Sequence, residues 1–222
     1  YIYPIFSNTV NTGLFLLSLF GVLGLQWYVL KHLPLKDCLP FKVGNNILEL
    51  RKMPKDAVPD KFDYKFVYKK NGENKEFLVS ALPDSTWEFV ERKQVLIEKG
   101  KNNIPLINDF VLKTENDNDT TEAILNQSGE YYMVLAKDFN TEDKWYNDFK
   151  LFYTKNKGVL PVFLVTSDPA AAKKALAIPD LIILSCDGTA LKTAARVNPT
   201  LYFMKGPLVK SKQAFMDFLV SR

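Results

Sequence analysis

The chain is poor in cysteine and histidine, and it carries no Asp, Glu, Lys or Arg before Lys31. Cys38 and Cys186 are too few for a disulfide framework. A bridge between them would have to join a segment near the start to the far part of the chain, so two unpaired thiols are expected. With His32 as the single histidine, His-type metal sites and Ser-His or Cys-His nucleophilic pairs are not available within the chain. No Gly-rich phosphate loop occurs; Gly13, Gly21 and Gly24 fall in an apolar run, where they suit helix packing. The net charge of +4 is modest and the lysines are dispersed among acidic residues. Nucleic-acid binding needs a basic face or stripe, so no nucleic-acid partner is expected. No cofactor or metal is expected either.

What is present begins with the apolar run itself. Gly13 to Leu30 is apolar apart from Ser18 and Gln26, and Val10 to Leu30 is just long enough to span a bilayer core as a helix. A signal peptide fits poorly, because no basic region precedes the run and no small-residue cleavage site follows it. A buried core helix is the other reading. Trp27 and Tyr28, with Lys31 and His32 beyond, suit interfacial anchoring. The chain begins at Tyr1 rather than Met, so it is expected to be the C-terminal part of a longer protein in which further membrane helices precede it. Lys31, His32, Lys36 and Lys42 follow the run, and a positive-inside count places the soluble region in the cytoplasm.

The rest divides into a strap and β-rich segment over 33–104 and an α/β domain over 105–222, behind a membrane helix and flank over 1–32. Pro34 and Pro40 make residues 31–40 irregular. Tyr64, Phe66 and Tyr68 alternate with Lys65, Val67 and Lys69; Asn71-Gly72 then supplies a hairpin turn, and Lys75 to Ser80 returns. Thr86 to Ile97 adds one or two strands. The aromatic stripe reads first as a packed face and second as a platform for a small molecule or lipid. From residue 105 the pattern becomes strand, helix, strand, helix. Tyr131–Lys137, Leu160–Thr166 and Leu181–Leu184 read as strands, and Thr141–Tyr153 and Ser167–Ala177 as helices, the latter with Asp168 as cap and Pro169 at its first position. Ala190–Ala195 forms a helical turn. A hairpin over Gly206-Pro207 and an amphipathic helix over Gln213–Val220 close the chain.

This order resembles the thioredoxin fold, in particular the membrane-tethered thioredoxin-like proteins of the TlpA and ResA kind. Ile107-Asn108-Asp109-Phe110-Val111-Leu112 is similar to that family's motif before its first core strand. Arg196-Val197-Asn198-Pro199-Thr200-Leu201-Tyr202-Phe203 is similar to the segment holding its cis-proline. The resemblance implies a Cys-x-x-Cys pair between the first strand and its helix, where the helix N-terminus lowers a thiolate pKa. Here that connection reads Lys137-Asp138-Phe139-Asn140-Thr141-Glu142-Asp143-Lys144-Trp145, without a cysteine, and its acidic residues would raise the pKa of a nearby thiol. Dithiol exchange of the usual kind is excluded. More loosely, the chain resembles the C-terminal part of DoxX-like membrane proteins of Bacteroidota, through the span, the strap Leu33-Pro34-Leu35-Lys36-Asp37, the segment Pro40-Phe41-Lys42-Val43-Gly44, the Tyr64 to Leu78 hairpin and the turn Asp84-Ser85-Thr86-Trp87. That resemblance implies an inner-membrane protein with a periplasmic extension, against the charge count. Asp84-Ser85-Thr86 and Asp119-Thr120-Thr121 are similar to the periplasmic O-glycosylation sequon of those bacteria.

The family fold implies a contact surface at Asn140, Thr141, Glu142 and Asp143 together with Asn198, Pro199 and Thr200, because the cis-proline loop offers backbone groups to an extended partner. The expectation is therefore a membrane-anchored envelope protein, catalytically silent, that serves protein contact or scaffolding in an envelope complex; pairing with a second copy stays open. The alternative is a subunit of a thiol- or quinone-linked oxidoreductase in which Cys186 or upstream cysteines react. Asp187 beside Cys186 opposes a thiolate. Asp138, Glu142, Asp143 and Asp168 read as helix-start residues before they read as a ligand cluster.

Overall fold

The computed structural model describes residues 8–139 and 145–220. Its first element is helix α1 (Asn8–Lys31), whose stretch Thr12–Lys31 is long and apolar enough to cross a membrane. A signal sequence passes the same test of length and composition. Phe15, Leu17, Phe20 and Leu25 stand in the open, so α1 is not a core helix of this chain.

The chain divides into two compact units, one of which includes α1. Residues 51–108 make one of them, built on a three-stranded antiparallel sheet in which the first strand lies between the second and the third. Strands β1 (Lys61–Lys70) and β2 (Glu73–Leu78) pair from Lys70↔Glu73 to Lys65↔Leu78. The turn between them is Asn71-Gly72, with φ of 53° and 89°. Two successive positive φ values are what a tight two-residue hairpin requires, and Asn-Gly supplies them with little strain. Thr86 to Ile97 yields a single strand, β3 (Glu88–Glu98), paired with β1 across a register shift between Val67 and Tyr68.

The other unit joins residues 1–50 to residues 109–222. Short helices α2 (Ile47–Leu50) and α3 (Thr121–Leu125) precede strand β4 (Glu130–Leu135). Then follow α4 (Trp145–Asn156), β5 (Val162–Thr166), α5 (Pro169–Leu176), β6 (Ile182–Ser185) and α6 (Gly188–Ala194). Strands β7 (Thr200–Lys205) and β8 (Leu208–Ala214) and helix α7 (Phe215–Val220) end the described chain. The sheet runs β6-β5-β4-β7-β8. The β4, β5 and β6 strands are parallel, whereas β7 opposes β4 and β8 opposes β7.

Central strands of such a sheet are covered on both faces, which explains why Val162 to Thr166 is continuously buried rather than alternating. One face packs Tyr132, Val134 and Leu164 against Trp145, Phe149 and Phe152 of α4 and Phe215 of α7. The Phe152 and Phe215 rings meet edge to face at 5.5 Å. Open sheet edges invite pairing with other chains, and here each edge strand is bridged at one end by backbone from elsewhere in the unit. Residues after the strap bond to β8 through Gly44 N–H to Val209 O (2.9 Å) and Ile47 N–H to Pro207 O (2.9 Å). At the opposite edge, Lys113 and Ser185 exchange two backbone hydrogen bonds of 2.9 and 2.8 Å.

An ion pair fastens the strap. Lys212 of β8 donates to Asp37 at 2.7 Å, with the lysine side chain 2% exposed. Burial pushes the Lys212 ammonium below its ordinary value, against the pull of Asp37. Burial also raises the Asp37 carboxyl, but the hydrogen bonds from Lys212 and the Leu39 N–H outweigh it and hold the group below its usual value.

Candidate functional site

The loop that enters β7 is the part of the expected contact surface that the structure describes. Asn140, Thr141, Glu142 and Asp143 lie outside the described residues. Asn198-Pro199 is a cis peptide bond. Asn198 uses its side chain to tie this loop to the end of β4: its Oδ1 accepts from the Lys137 N–H at 2.8 Å and its Nδ2 donates to the Asp138 carbonyl at 3.0 Å. The Pro199 carbonyl accepts from the Phe215 N–H at 3.0 Å, and the buried Thr200 hydroxyl donates to Val197 O at 2.8 Å. Pro199 and Thr200 are buried and Asn198 is half-buried, so Asn198 is the member of the three that reaches the surface.

The Asn198 side chain fixes the spacing between two loops that are far apart in sequence. An intramolecular hydrogen bond contributes about 1 kcal/mol net, so Asn198→Ala is expected to cost about 2 kcal/mol, and Asn198→Asp, which loses the donor to Asp138, somewhat less. Amide hydrogen exchange at Lys137 measures it directly: protection of that N–H should fall in Asn198→Ala and persist in Asn198→Asp. Lys137 is itself under pressure, because burial, Arg196 and Lys192 push its ammonium below the ordinary lysine value against the opposing effect of Asp138.

Cys186 follows β6 and is buried. Burial, reinforced by Asp187, pushes its thiol up to about 12. A thiolate is the nucleophile in exchange chemistry, so burial disfavours the reactive form of this sulfur. Asp187 has a structural task, accepting from the N–H groups of Thr189 (2.7 Å) and Ala190 (3.1 Å) to cap α6, which holds its carboxyl below the usual range. Asp168 likewise caps α5 by accepting from Ala171 N–H at 2.9 Å. Cys38 is exposed. Among the described residues, no cluster of His, Cys, Asp and Glu could hold a metal ion.

The two Asp-x-Thr segments close turns. Asp84 accepts from the Thr86 N–H and hydroxyl, and Asp119 accepts from the Thr121 N–H (2.9 Å) and hydroxyl (2.6 Å). Thr121 is buried and its oxygen also receives the Leu112 N–H at 2.7 Å.

The antiparallel sheet carries a second candidate surface. On one face Tyr68 meets Phe77 at 5.8 Å and Phe89 at 5.6 Å, and Phe77 meets Trp87 at 5.1 Å. Arg92 lies over the Tyr64 ring at 4.6 Å and Lys75 over Phe77 at 5.6 Å. The rings therefore pack on each other, yet Phe62, Phe89 and Leu96 stay about half exposed. On the other side of the sheet Glu76 sits between Lys65 (3.0 Å) and Lys93 (3.2 Å), whose hydrogen bonds hold its carboxyl below the ordinary value.

Residues 62–99, the span of this sheet, match a family profile described as a domain of unknown function (DUF8463). No curated protein matches the chain. Sequence reasoning placed the aromatic stripe and the cis-proline loop. It missed the Asn198 clamp and the Asp37–Lys212 pair, because their partners lie 60 and 175 residues away and no local pattern announces either.

Proposed function

We propose that this chain is a membrane-anchored cell-envelope protein, the C-terminal part of a DoxX-like protein. Its C-terminal unit is thioredoxin-like and works by protein contact rather than by thiol chemistry. The supporting observation is the combination of strand order β6-β5-β4-β7-β8 with a cis Asn198-Pro199 at the start of β7 and no cysteine between β4 and α4. The buried Cys186 supports the non-redox half of the reading. Helix α1 supports the anchor, and the DoxX-like strap and hairpin support an inner-membrane protein with its soluble part in the periplasm. The contact surface is then the Asn198 loop with the residues that follow β4, facing envelope proteins of a larger complex.

The test is partner capture from native membranes with and without reductant, comparing the natural chain with Cys186→Ser. The same partners are expected in all four samples. An adduct lost on reduction, or lost in Cys186→Ser, would replace scaffolding by an oxidoreductase subunit. As a chemical check, Cys186 should resist a maleimide reagent at pH 7 in the folded protein while Cys38 reacts, and mass spectrometry of the labelled peptides distinguishes the two.

A further inference from the structure

Where α1 ends, a cavity of about 250 Å³ opens between the helix end and the globular unit, lined by Val29, His32, Pro34, Lys192 and Arg196. No carboxylate lines it. Val29 and Pro34 give it an apolar wall, and the three other side chains are basic. Lys192 and Arg196 are exposed, and among the described residues neither forms a salt bridge. Of the carboxylates nearby, one already pairs with His32 and the other with Lys212, which leaves Lys192 and Arg196 as the cations open to a ligand. Asp217 of α7 holds His32 at 2.8 Å, on the side of a ring stacked over Tyr28 at 4.6 Å, and Asp37, which feels Arg196, is paired with Lys212.

Lysine and arginine at the end of a helix also suit its dipole, and Lys192 stands in the last turn of α6 with Arg196 just beyond it. The dipole does not bring Val29, His32 and Pro34 into the same cavity, since they precede α6 by more than a hundred and fifty residues in the chain. Arg196 and Lys192 also reach Lys137, whose ammonium is lowered chiefly by burial and further by these two cations.

We propose that this cavity binds a phosphate group, and that its source is the headgroup of an anionic phospholipid in the membrane that holds α1. Inorganic phosphate shares the chemistry. The lipid source rests on the reading of α1 as a span. The apolar stretch Thr12–Lys31 has 20 residues, which at the helical rise is about 30 Å, the thickness of the hydrocarbon core. The C-terminal end of that stretch, and the cavity beside it, then stand at headgroup level. Trp27, with Lys31 over its ring at 4.7 Å, belongs to the same layer. Basic pockets beside membrane helices recognise lipid phosphates in this way.

The experiment uses the whole chain in a non-ionic detergent, offered equal amounts of phosphatidylglycerol and phosphatidylcholine and analysed by native mass spectrometry. The chain should retain phosphatidylglycerol in preference. Lys192→Gln/Arg196→Gln should lower the retained fraction about tenfold, while the charge-matched Lys174→Gln/Lys205→Gln, away from the cavity, should not. Circular dichroism confirms that both variants are folded. Equal retention of the two lipids, or unchanged retention in Lys192→Gln/Arg196→Gln, overturns the site. Millimolar inorganic phosphate that displaces the lipid from the natural chain identifies free phosphate as the ligand; lipid that stays identifies the headgroup. Alkaline carbonate extraction of native membranes tests α1 separately: release of the chain overturns the span and the lipid source, whereas the phosphate titration still decides the cavity.

Discussion

Asp37→Ala should lower the thermal midpoint of the protein by about 10 °C. The substitution leaves the Lys212 ammonium, 2% exposed, without its counter-ion at 2.7 Å. Removing one partner of a buried ion pair costs about 3–5 kcal/mol, because the surviving charge stays desolvated. Each kcal/mol moves the midpoint of a chain of this size by roughly 2–4 °C. The alternative positions open to Lys212 are poor: its ammonium already lies over the Tyr202 ring at 5.4 Å, and the Tyr202 hydroxyl is engaged with Ala194 O at 2.8 Å. Asp37→Leu/Lys212→Met should recover most of the loss, since a well-packed apolar pair often equals the ion pair it replaces. A midpoint within about 2 °C of the natural chain in Asp37→Ala would show that the strap is held by its backbone bonds to β8 instead.

The same pair sets a pH dependence whose sign follows from Asp37. Hydrogen bonds from Lys212 and the Leu39 N–H hold its folded-state carboxyl below the ordinary aspartate value. A depressed carboxylate stabilises the fold above its unfolded value and loses that contribution as pH falls through the folded one. Natural chain and Asp37→Asn should therefore differ most above about pH 4, and their unfolding curves should converge as the pH is lowered further.

What was legible in the sequence is what local pattern encodes. Alternation at Tyr64, Phe66 and Tyr68 with Asn71-Gly72 gave the hairpin, because hairpin chemistry is contained in adjacent residues. Asp168 followed by Pro169 gave the start of α5, observed at Pro169 with Asp168 as its cap. The continuous run before Thr166 gave a strand covered on both faces. Boundaries moved where the sheet takes over from local preference: β8 continues to Ala214, so α7 begins at Phe215 rather than at Gln213, because pairing with β7 through Thr200↔Ala214 holds those residues extended. The loop that enters β7 is legible as a loop, but its internal wiring is not. Nothing in Asn198 as a residue says that it reaches back to Lys137 and Asp138. The closing of the strap on Lys212 is hidden for the same reason, since a lysine in an alternating strand reads as a solvent-facing charge.

Gly100→Ala should be the most damaging single-methyl change in the 51–108 unit. Within Glu98-Lys99-Gly100-Lys101, the glycine reads as an ordinary loop residue, and its φ is not in the left-handed region. Its constraint is distance. A Cβ built there would stand 2.0 Å from the Val58 carbonyl oxygen and 2.7 Å from the Pro59 carbonyl carbon. Both are backbone atoms, so no side chain can rotate away and the two segments must separate. Separation would break the paired bonds Val58 N–H to Lys101 O (2.8 Å) and Lys101 N–H to Val58 O (3.0 Å), and the Gly100 N–H donation to Asp60 at 2.6 Å. Overpacking alone costs about 1–3 kcal/mol, and each of the three broken hydrogen bonds adds about 1 kcal/mol, for a total of about 5 kcal/mol. Gly72→Ala in the same unit is the comparison. Its φ of 89° makes a side chain strained, but nothing lies within 4 Å of its Cβ, so the cost should be about 1–2 kcal/mol. Hydrogen exchange at Val58 and Lys101 separates the mechanisms: protection there should collapse in Gly100→Ala and persist in Gly72→Ala. Retained protection in Gly100→Ala would mean that the segments at 58–60 and 100 do not approach as closely as the 2.0 Å contact requires.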